Sequence, residues 1–379
     1  MSENIHRDLE AEITARIGKG KTLVIHGARQ VGKTTLLREL FGGRADVVWF
    51  NTDEAATLAA FENVTGTAFQ PYLGRATTVV IDEAQRIPDI GLKLKILHDA
   101  LGDRVQFIAT GSSSFDLANK INEPLTGRKF EFRMHPVKFA EMVAHHGLLE
   151  ERKNLSNRLL YGWYPDIIAN IADARARLVG LAGDNLYKDI FRLEQIRKPA
   201  QFEKLVKALA WRVGSQVSLT ELGALAGVDK NTAEKYVRLL EHAFIIFRVG
   251  SFSRNLRNEL KTASKYYFFD TGIRNAVIGD FSPVEQRQDI GHLFENFVIA
   301  ELVKRRAPFT TVTDGFWRTK TQQEIDFVEV ADGALSAYEI KWNPEARARF
   351  PAAFLASYKP QKTLVLNRDN FFEPLLCGS

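Results

Sequence analysis

The tightest run of chemistry-bearing residues in this chain is Gly27-Ala28-Arg29-Gln30-Val31-Gly32-Lys33-Thr34-Thr35. Gly27 and Gly32 let the backbone curl, so that the N–H groups between them, that of Gln30 included, point inward at one anion. Lys33 adds a positive charge, Thr34 offers a hydroxyl to Mg2+, and Thr35 follows in the helix predicted over residues 34–41, whose positive end aims at the same anion. Just before the loop, Thr22-Leu23-Val24-Ile25-His26 reads as a buried strand. Strand, glycine-rich loop and helix in that order imply a nucleoside triphosphate as ligand.

Further strands are needed to place catalytic groups beside that loop. Val47-Val48-Trp49-Phe50 and Thr77-Thr78-Val79-Val80-Ile81 are apolar or β-branched, as strands covered by helices on both faces should be. The second of these runs into Asp82-Glu83. A carboxylate there can hold the water shell of Mg2+, and its neighbour can orient or deprotonate the attacking water, which assigns Asp82 to metal and Glu83 to catalysis. A fourth strand, Val105–Ala109, leads into Thr110-Gly111-Ser112-Ser113-Ser114. Ser112 or Thr110 could sense the γ-phosphate at the carboxyl edge of the sheet, or the serines could simply cap a helix starting near Phe115.

These pieces, in this order, resemble AAA-type P-loop ATPases, most closely a prokaryotic group that joins such a module to a further C-terminal region. The resemblance implies ATP as the nucleotide and hydrolysis as the reaction. It also implies that an arginine from a neighbouring subunit completes the site; Leu125-Thr126-Gly127-Arg128 falls where the group carries its Gly-Arg pair, so Arg128 is the candidate finger. A planar bidentate cation suits the charge that spreads over the γ-phosphoryl oxygens. A finger acting between subunits implies a homo-oligomer, a ring such as a hexamer.

The middle of the chain reads as a DNA grip. Net charge is +5 overall, but residues 187–265 hold 15 Lys or Arg against 8 Asp or Glu, a local excess of +7. An amphipathic helix over 202–213, a capping box at Ser218-Leu219-Thr220-Glu221, and a turn at Gly227-Val228-Asp229 into a third helix over 230–242 give a helix-turn-helix layout. The third helix presents Lys230, Asn231, Thr232, Lys235 and Arg238 outward, with Val237, Leu239 and Leu240 inward. Phe244–Phe247 and Tyr266–Phe269 would form a wing whose connecting loop carries Arg248, Arg254, Arg257, Lys261 and Lys265. A winged helix that binds DNA is the expectation; a spacer or protein-docking role is the alternative.

The last third carries a second carboxylate set. Residues 323–330, a turn at Asp332-Gly333, and residues 336–342 read as a hairpin in which Glu339 and Lys341 share a face that Asp326 can join. Two carboxylates on adjacent strands can bind a divalent metal, and the lysine can stabilise an attacked phosphodiester. This resembles the PD-(D/E)XK nuclease motif, although no proline precedes Asp326. In that motif a glutamate from a preceding helix often joins the metal, a role that Glu295 would fill.

At 379 residues, 45% hydrophobic and 11% aromatic, the chain has material for several cores. The expected class is α/β: a P-loop parallel-sheet ATPase core over 1–150, a helical linker over 151–200 with a polar break at 153–157, a winged-helix domain over 201–275, and an α/β nuclease-like domain over 285–379. No apolar run approaches the roughly 20 residues of a membrane helix, and residues 1–10 are charged, so a cytoplasmic setting without membrane contact is expected. A single cysteine, Cys377, rules out an internal disulfide and disfavours structural zinc. The leading functional expectation is an ATP-hydrolysing machine that binds and remodels or processes DNA, branched DNA included. The alternatives are a nucleotide-switched signalling or defence protein and an ATP-gated metal-dependent nuclease.

Overall fold

The computed structural model describes residues 4–111, 125–183, 196, 198–253 and 264–376. The chain forms two compact units, Met1–Val137 with His242–Phe244, and Lys138–Glu241 with Ile245–Ser379.

In the first unit, β1 (Thr22–His26), β2 (Val47–Asn51), β3 (Thr78–Asp82), β4 (Gln106–Gly111) and β5 (Lys129–Arg133) form one sheet in the order β2-β3-β4-β1-β5. Every neighbouring pair is parallel. β1 is buried along its whole length, and Phe50, Phe61, Phe69, Leu94 and Phe107 fill a core against the helices on one face. This order brings the loop after β1 and the carboxylates after β3 to either side of the end of β4, at the carboxyl edge where ligands of such sheets bind. β5 was not foreseen. Its Lys-Phe-Glu-Phe-Arg alternation suits an edge strand with one buried face, on which Phe132 is fully enclosed.

The second unit opens with the helices Phe139–His146, Leu148–Lys153 and Leu155–Tyr161. The polar stretch 153–157 lies inside this unit, where the buried Glu151 and Arg158 join the second and third of these helices by an ion pair of 2.6 Å. Helices Pro199–Trp211, Leu219–Ala226 and Lys230–His242 follow. Ser218 caps the middle one by accepting from the Glu221 N–H at 3.2 Å, and Gly227 ends it with φ +72°, a left-handed turn that glycine adopts without strain. Beside them, β6 (Gln216–Val217), β7 (Ile246–Val249) and β8 (Ser264–Phe268) make an antiparallel sheet in the order β6-β8-β7. Arg248 therefore lies in β7, and Lys265 is a buried residue of β8, not a cation of an exposed loop. Arg254, Arg257 and Lys261 fall outside the described residues.

The long helix Ile290–Lys304 is enclosed on nearly all sides and packs by a four-stranded sheet of β9 (Val312–Arg318), β10 (Glu324–Ala331), β11 (Ala334–Ile340) and β12 (Lys362–Leu366). The order is β12-β11-β10-β9, antiparallel except for β11 and β12. Asp332 and Gly333, with φ of +49° and +80°, make the predicted hairpin turn. The two sheets of this unit are tied edge to edge: the Phe252 N–H donates to the Phe316 carbonyl at 2.7 Å, and the Phe316 N–H to Gly250 at 2.9 Å. Gly315 permits this approach, since a Cβ there would meet the Phe252 nitrogen at 2.8 Å. Among the described residues no helix is long and apolar enough to cross a membrane.

Candidate functional site

The phosphate-binding loop is built around two glycines that no other residue could replace. Gly32 has φ +99°, and a Cβ on Gly27 would sit 2.0 Å from the Met134 carbonyl oxygen. That backbone is fixed, because the Met134 N–H donates to the His26 carbonyl at 2.8 Å. Gln30 also adopts positive φ, at +59°. Arg7, which the sequence did not single out, braces the loop from below: its guanidinium donates to the carbonyls of Val31 at 2.8 Å and His135 at 2.7 Å.

Lys33 starts the helix Lys33–Phe41, with Thr34 and the exposed Thr35 next in line. The Lys33 ammonium is buried and donates to the carbonyls of Gly27 at 3.0 Å and Ala28 at 2.8 Å. Burial lowers its pKa to about 8, against the opposing pull of Glu83 and Asp82. The Thr34 hydroxyl donates to both carboxylate oxygens of Asp82, at 3.1 and 2.9 Å. A hydroxyl and a carboxylate aimed at one another beside a phosphate cradle are the donors Mg2+ requires, so these residues fit the ion and its nucleotide.

Thr110, at the end of β4, joins the two carboxylate residues. Its hydroxyl donates to Asp82 at 2.6 Å and accepts from the Glu83 N–H at 3.0 Å. Thr52 adds bonds to the carbonyls of both, each at 3.0 Å. Held this way, Glu83 takes a left-handed conformation, φ +54°, and its carboxylate accepts from the Gln85 amide. Thr110 is thus bonded to Asp82; Ser112, the other candidate phosphate sensor, lies outside the described residues. Arg128 does not belong to this cluster. It precedes β5 at the end of the sheet where β1 begins, accepting from the Thr22 N–H, and its guanidinium donates to Asp99 at 2.6 Å on the surface.

In the second unit, Glu295, Asp326, Glu339 and Lys341 do come together, in a pocket of about 670 Å³ that Lys265 and Glu324 also line. The hairpin register pairs Phe327 with Tyr338, which sets Asp326 across from Glu339. The Lys341 ammonium bridges Asp326 at 3.0 Å and Glu339 at 2.9 Å, while Lys265 bridges Glu324 at 2.7 Å and Glu295 at 3.4 Å. Tyr267 donates to Glu295 at 2.6 Å, and the Ile340 N–H to Asp326 at 2.7 Å. Burial, aided by Asp326, pushes Glu339 up to about 7 against Lys341, and burial also raises Glu295. For Lys265 burial pulls downward, but Glu295 and Glu324 outweigh it and the ammonium is held above its usual pKa.

This is not the metal centre that the sequence suggested for Glu295, Asp326 and Glu339. Among the described residues no three His, Cys, Asp or Glu side chains are arranged to hold a metal ion. The carboxylates close in pairs on two ammonium groups, which already supply the charge a metal would bring, and the residues as built do not fit one. The sequence reading put Lys265 in a loop and did not single out Glu324, because nothing local marks the lysine as buried or the glutamate as its partner.

On the helix Lys230–His242, Lys230, Asn231, Lys235 and Arg238 are exposed, while Val237, Leu239 and Leu240 are buried. Thr232 is instead turned to Asp229, to which its hydroxyl donates at 2.6 Å, and Arg238 pairs with Glu234 at 2.7 Å.

Residues 19–143 match an AAA domain family, residues 152–283 the domain of unknown function DUF8612, and residues 290–375 the domain of unknown function DUF4143. The uncharacterized protein Rv2008c of Mycobacterium tuberculosis is 27% identical over 345 residues, covering 88% of this chain and 73% of that protein. An uncharacterized protein of Haemophilus influenzae is 26% identical over 211 residues, 52% of this chain and 51% of its own. Among solved structures, the Walker-type ATPase PABY2304 of Pyrococcus abyssi shares the fold, with a TM-score of 0.52 and 14% identity over 73% of this chain and 96% of that one. The chain carries an AAA-type ATPase domain.

Proposed function

We propose that the chain is a Mg2+-dependent ATPase whose turnover drives its C-terminal unit to hold and remodel DNA, as a ring-forming homo-oligomer. The observation that carries the hydrolytic part is the convergence of Thr34 and Asp82 beside the buried Lys33, with Glu83 locked next to them. Backbone N–H groups of residues 28–33 and the Lys33 ammonium hold the phosphates, and Glu83 orients the attacking water and accepts its proton. Thr34 and Asp82 would hold Mg2+, which would supply charge neutralisation of the phosphoryl oxygens. Arg128, at the sheet end remote from the loop of its own chain, is available to a neighbour's γ-phosphate once it leaves Asp99.

DNA as partner is supported by the exposed Lys230, Asn231, Lys235 and Arg238 on one helix and by the +7 excess over residues 187–265. The helices and short sheet around them suit a winged helix, and the sheet beyond suits a nuclease-like fold that grips without cutting, since lysines fill its carboxylate pairs. ATP turnover measured with no DNA, duplex, single strand and a four-way junction, beside a sizing column run with nucleotide, tests the reading. Stimulation by DNA, strongest on the junction, with a larger species in nucleotide is the expected result. Turnover indifferent to every DNA would favour the nucleotide-switched signalling alternative.

A further inference from the structure

We propose that Lys265 is the resident cation of the carboxylate pocket and keeps divalent metal out of it. The inference stands apart from any role in DNA binding and rests on where β8 puts one ammonium group. Lys265 is 3% exposed, yet its amine reaches Glu324 at 2.7 Å and Glu295 at 3.4 Å and lies 5.5 Å from the centre of the Phe316 ring. Around it, Glu295, Glu324, Asp326 and Glu339 bring four carboxylates into one pocket, and Lys265, Lys341 and Arg318 bring three cations. Arg318 pairs with the outer oxygen of Glu324 at 3.5 Å, and His292 stands 3.9 Å from Glu295.

Burying three of these carboxylates, those of Glu295, Asp326 and Glu339, demands compensation at close range, and here it is covalently attached. A divalent ion needs several oxygens within about 2.0–2.6 Å of one point. The Lys265 amine holds Glu295 and Glu324, so a metal could draw Glu295 towards the other carboxylates only by displacing it, and a second positive charge beside it would be repelled. The lysine comes from the small sheet of β6, β7 and β8, whereas its partners belong to the long helix and β10. The carboxylate set is therefore closed by a neighbouring element and would become a metal site only on losing that side chain.

The test is Mn2+ binding by the nucleotide-free full chain, read from the electron paramagnetic signal of free Mn2+, in wild type and in Lys265→Met. The expected result is no wild-type binding that Glu324→Gln removes. Lys265→Met should gain one Mn2+ per chain at least tenfold tighter than anything in wild type, lost again when Glu324→Gln is added. Thermal melting checks folding, and Lys265→Gln serves in place of Lys265→Met should the latter unfold. A wild-type Mn2+ site abolished by Glu324→Gln overturns the proposal, as does a folded Lys265 variant that gains no site.

Discussion

Thr110 shows how one hydroxyl can set two neighbouring carboxylate residues. It donates to the Asp82 carboxylate and accepts from the backbone of Glu83, so its loss leaves both carboxylates freer at the edge where water must be aligned. A hydrogen bond to a charged group contributes about 1.5–3 kcal/mol, so Thr110→Val should lower ATP turnover roughly 10- to 100-fold, with a smaller effect on ATP affinity. Thr110→Ser, which restores the hydroxyl, should recover most of it; steady-state kinetics on the three proteins decide this. His26, the last residue of β1, makes a second prediction. Burial lowers its pKa to about 4, with Glu131 pulling the other way. Since the folded value lies below the unfolded 6.5, the neutral ring's contribution is complete above 6.5 and is lost as pH falls towards 4, about 2 kcal/mol of it by pH 5. His26→Phe should shrink the fall in Tm between about pH 7.5 and pH 5 by several degrees; an unchanged fall would refute the assignment. What was readable at this scale was what is contiguous. The loop residues 27–35 and the pair Asp82-Glu83 carry their chemistry in short runs, whereas Arg7, Lys265 and Glu324 act on partners 24 or more residues away. A lysine in a basic stretch reads as exposed until the fold supplies its carboxylates.

At the scale of elements, period and punctuation located most of the segments but not their surroundings. The helix predicted over 230–242 lies at Lys230–His242, because Asp229 turns the chain into it and its apolar residues recur at helical spacing. The hairpin at Asp332-Gly333 was legible for the same reason, as only a turn with positive φ joins those strands. β5 escaped because alternating charged and aromatic residues look like a solvated stretch, and only pairing with β1 gives the phenylalanines a covered face. The wing strand expected at 244 begins at Ile246, and the second at Ser264. That shift moved Lys265 from a DNA-facing loop into a buried ladder. The helix 230–242 makes the prediction at this level: reversing charge at Lys230, Lys235 and Arg238 to Glu changes only exposed positions, so the far-ultraviolet spectrum and Tm should be nearly unchanged. Retention on DNA should fall by at least tenfold at about 0.1 M salt, because each lost phosphate contact also removes a released counterion. Retention equal to wild type would move the DNA surface elsewhere.

For the whole molecule the open matter is how many chains make one catalytic site. Within a chain the sheet separates Arg128 from the phosphate loop: the arginine precedes the residue paired with Thr22 at the start of β1, and the loop leaves from the other end of that strand. In the proposed ring, Arg128 would reach the γ-phosphate of a second copy through a head-to-tail contact. Two inactive chains can test this. Lys33→Ala lacks its own phosphate grip but keeps the finger, and Arg128→Ala lacks the finger but keeps the grip. Each alone should turn over ATP at least about 100-fold more slowly than wild type. Mixed in equal amounts and allowed to exchange subunits, half of the chains carry a sound loop and half of those have a sound arginine beside them. About a quarter of wild-type turnover should therefore return. If instead the mixture stays as inactive as its components while a sizing column shows mixed oligomers, Arg128 serves no neighbouring site, and its contact with Asp99 is all the role it has.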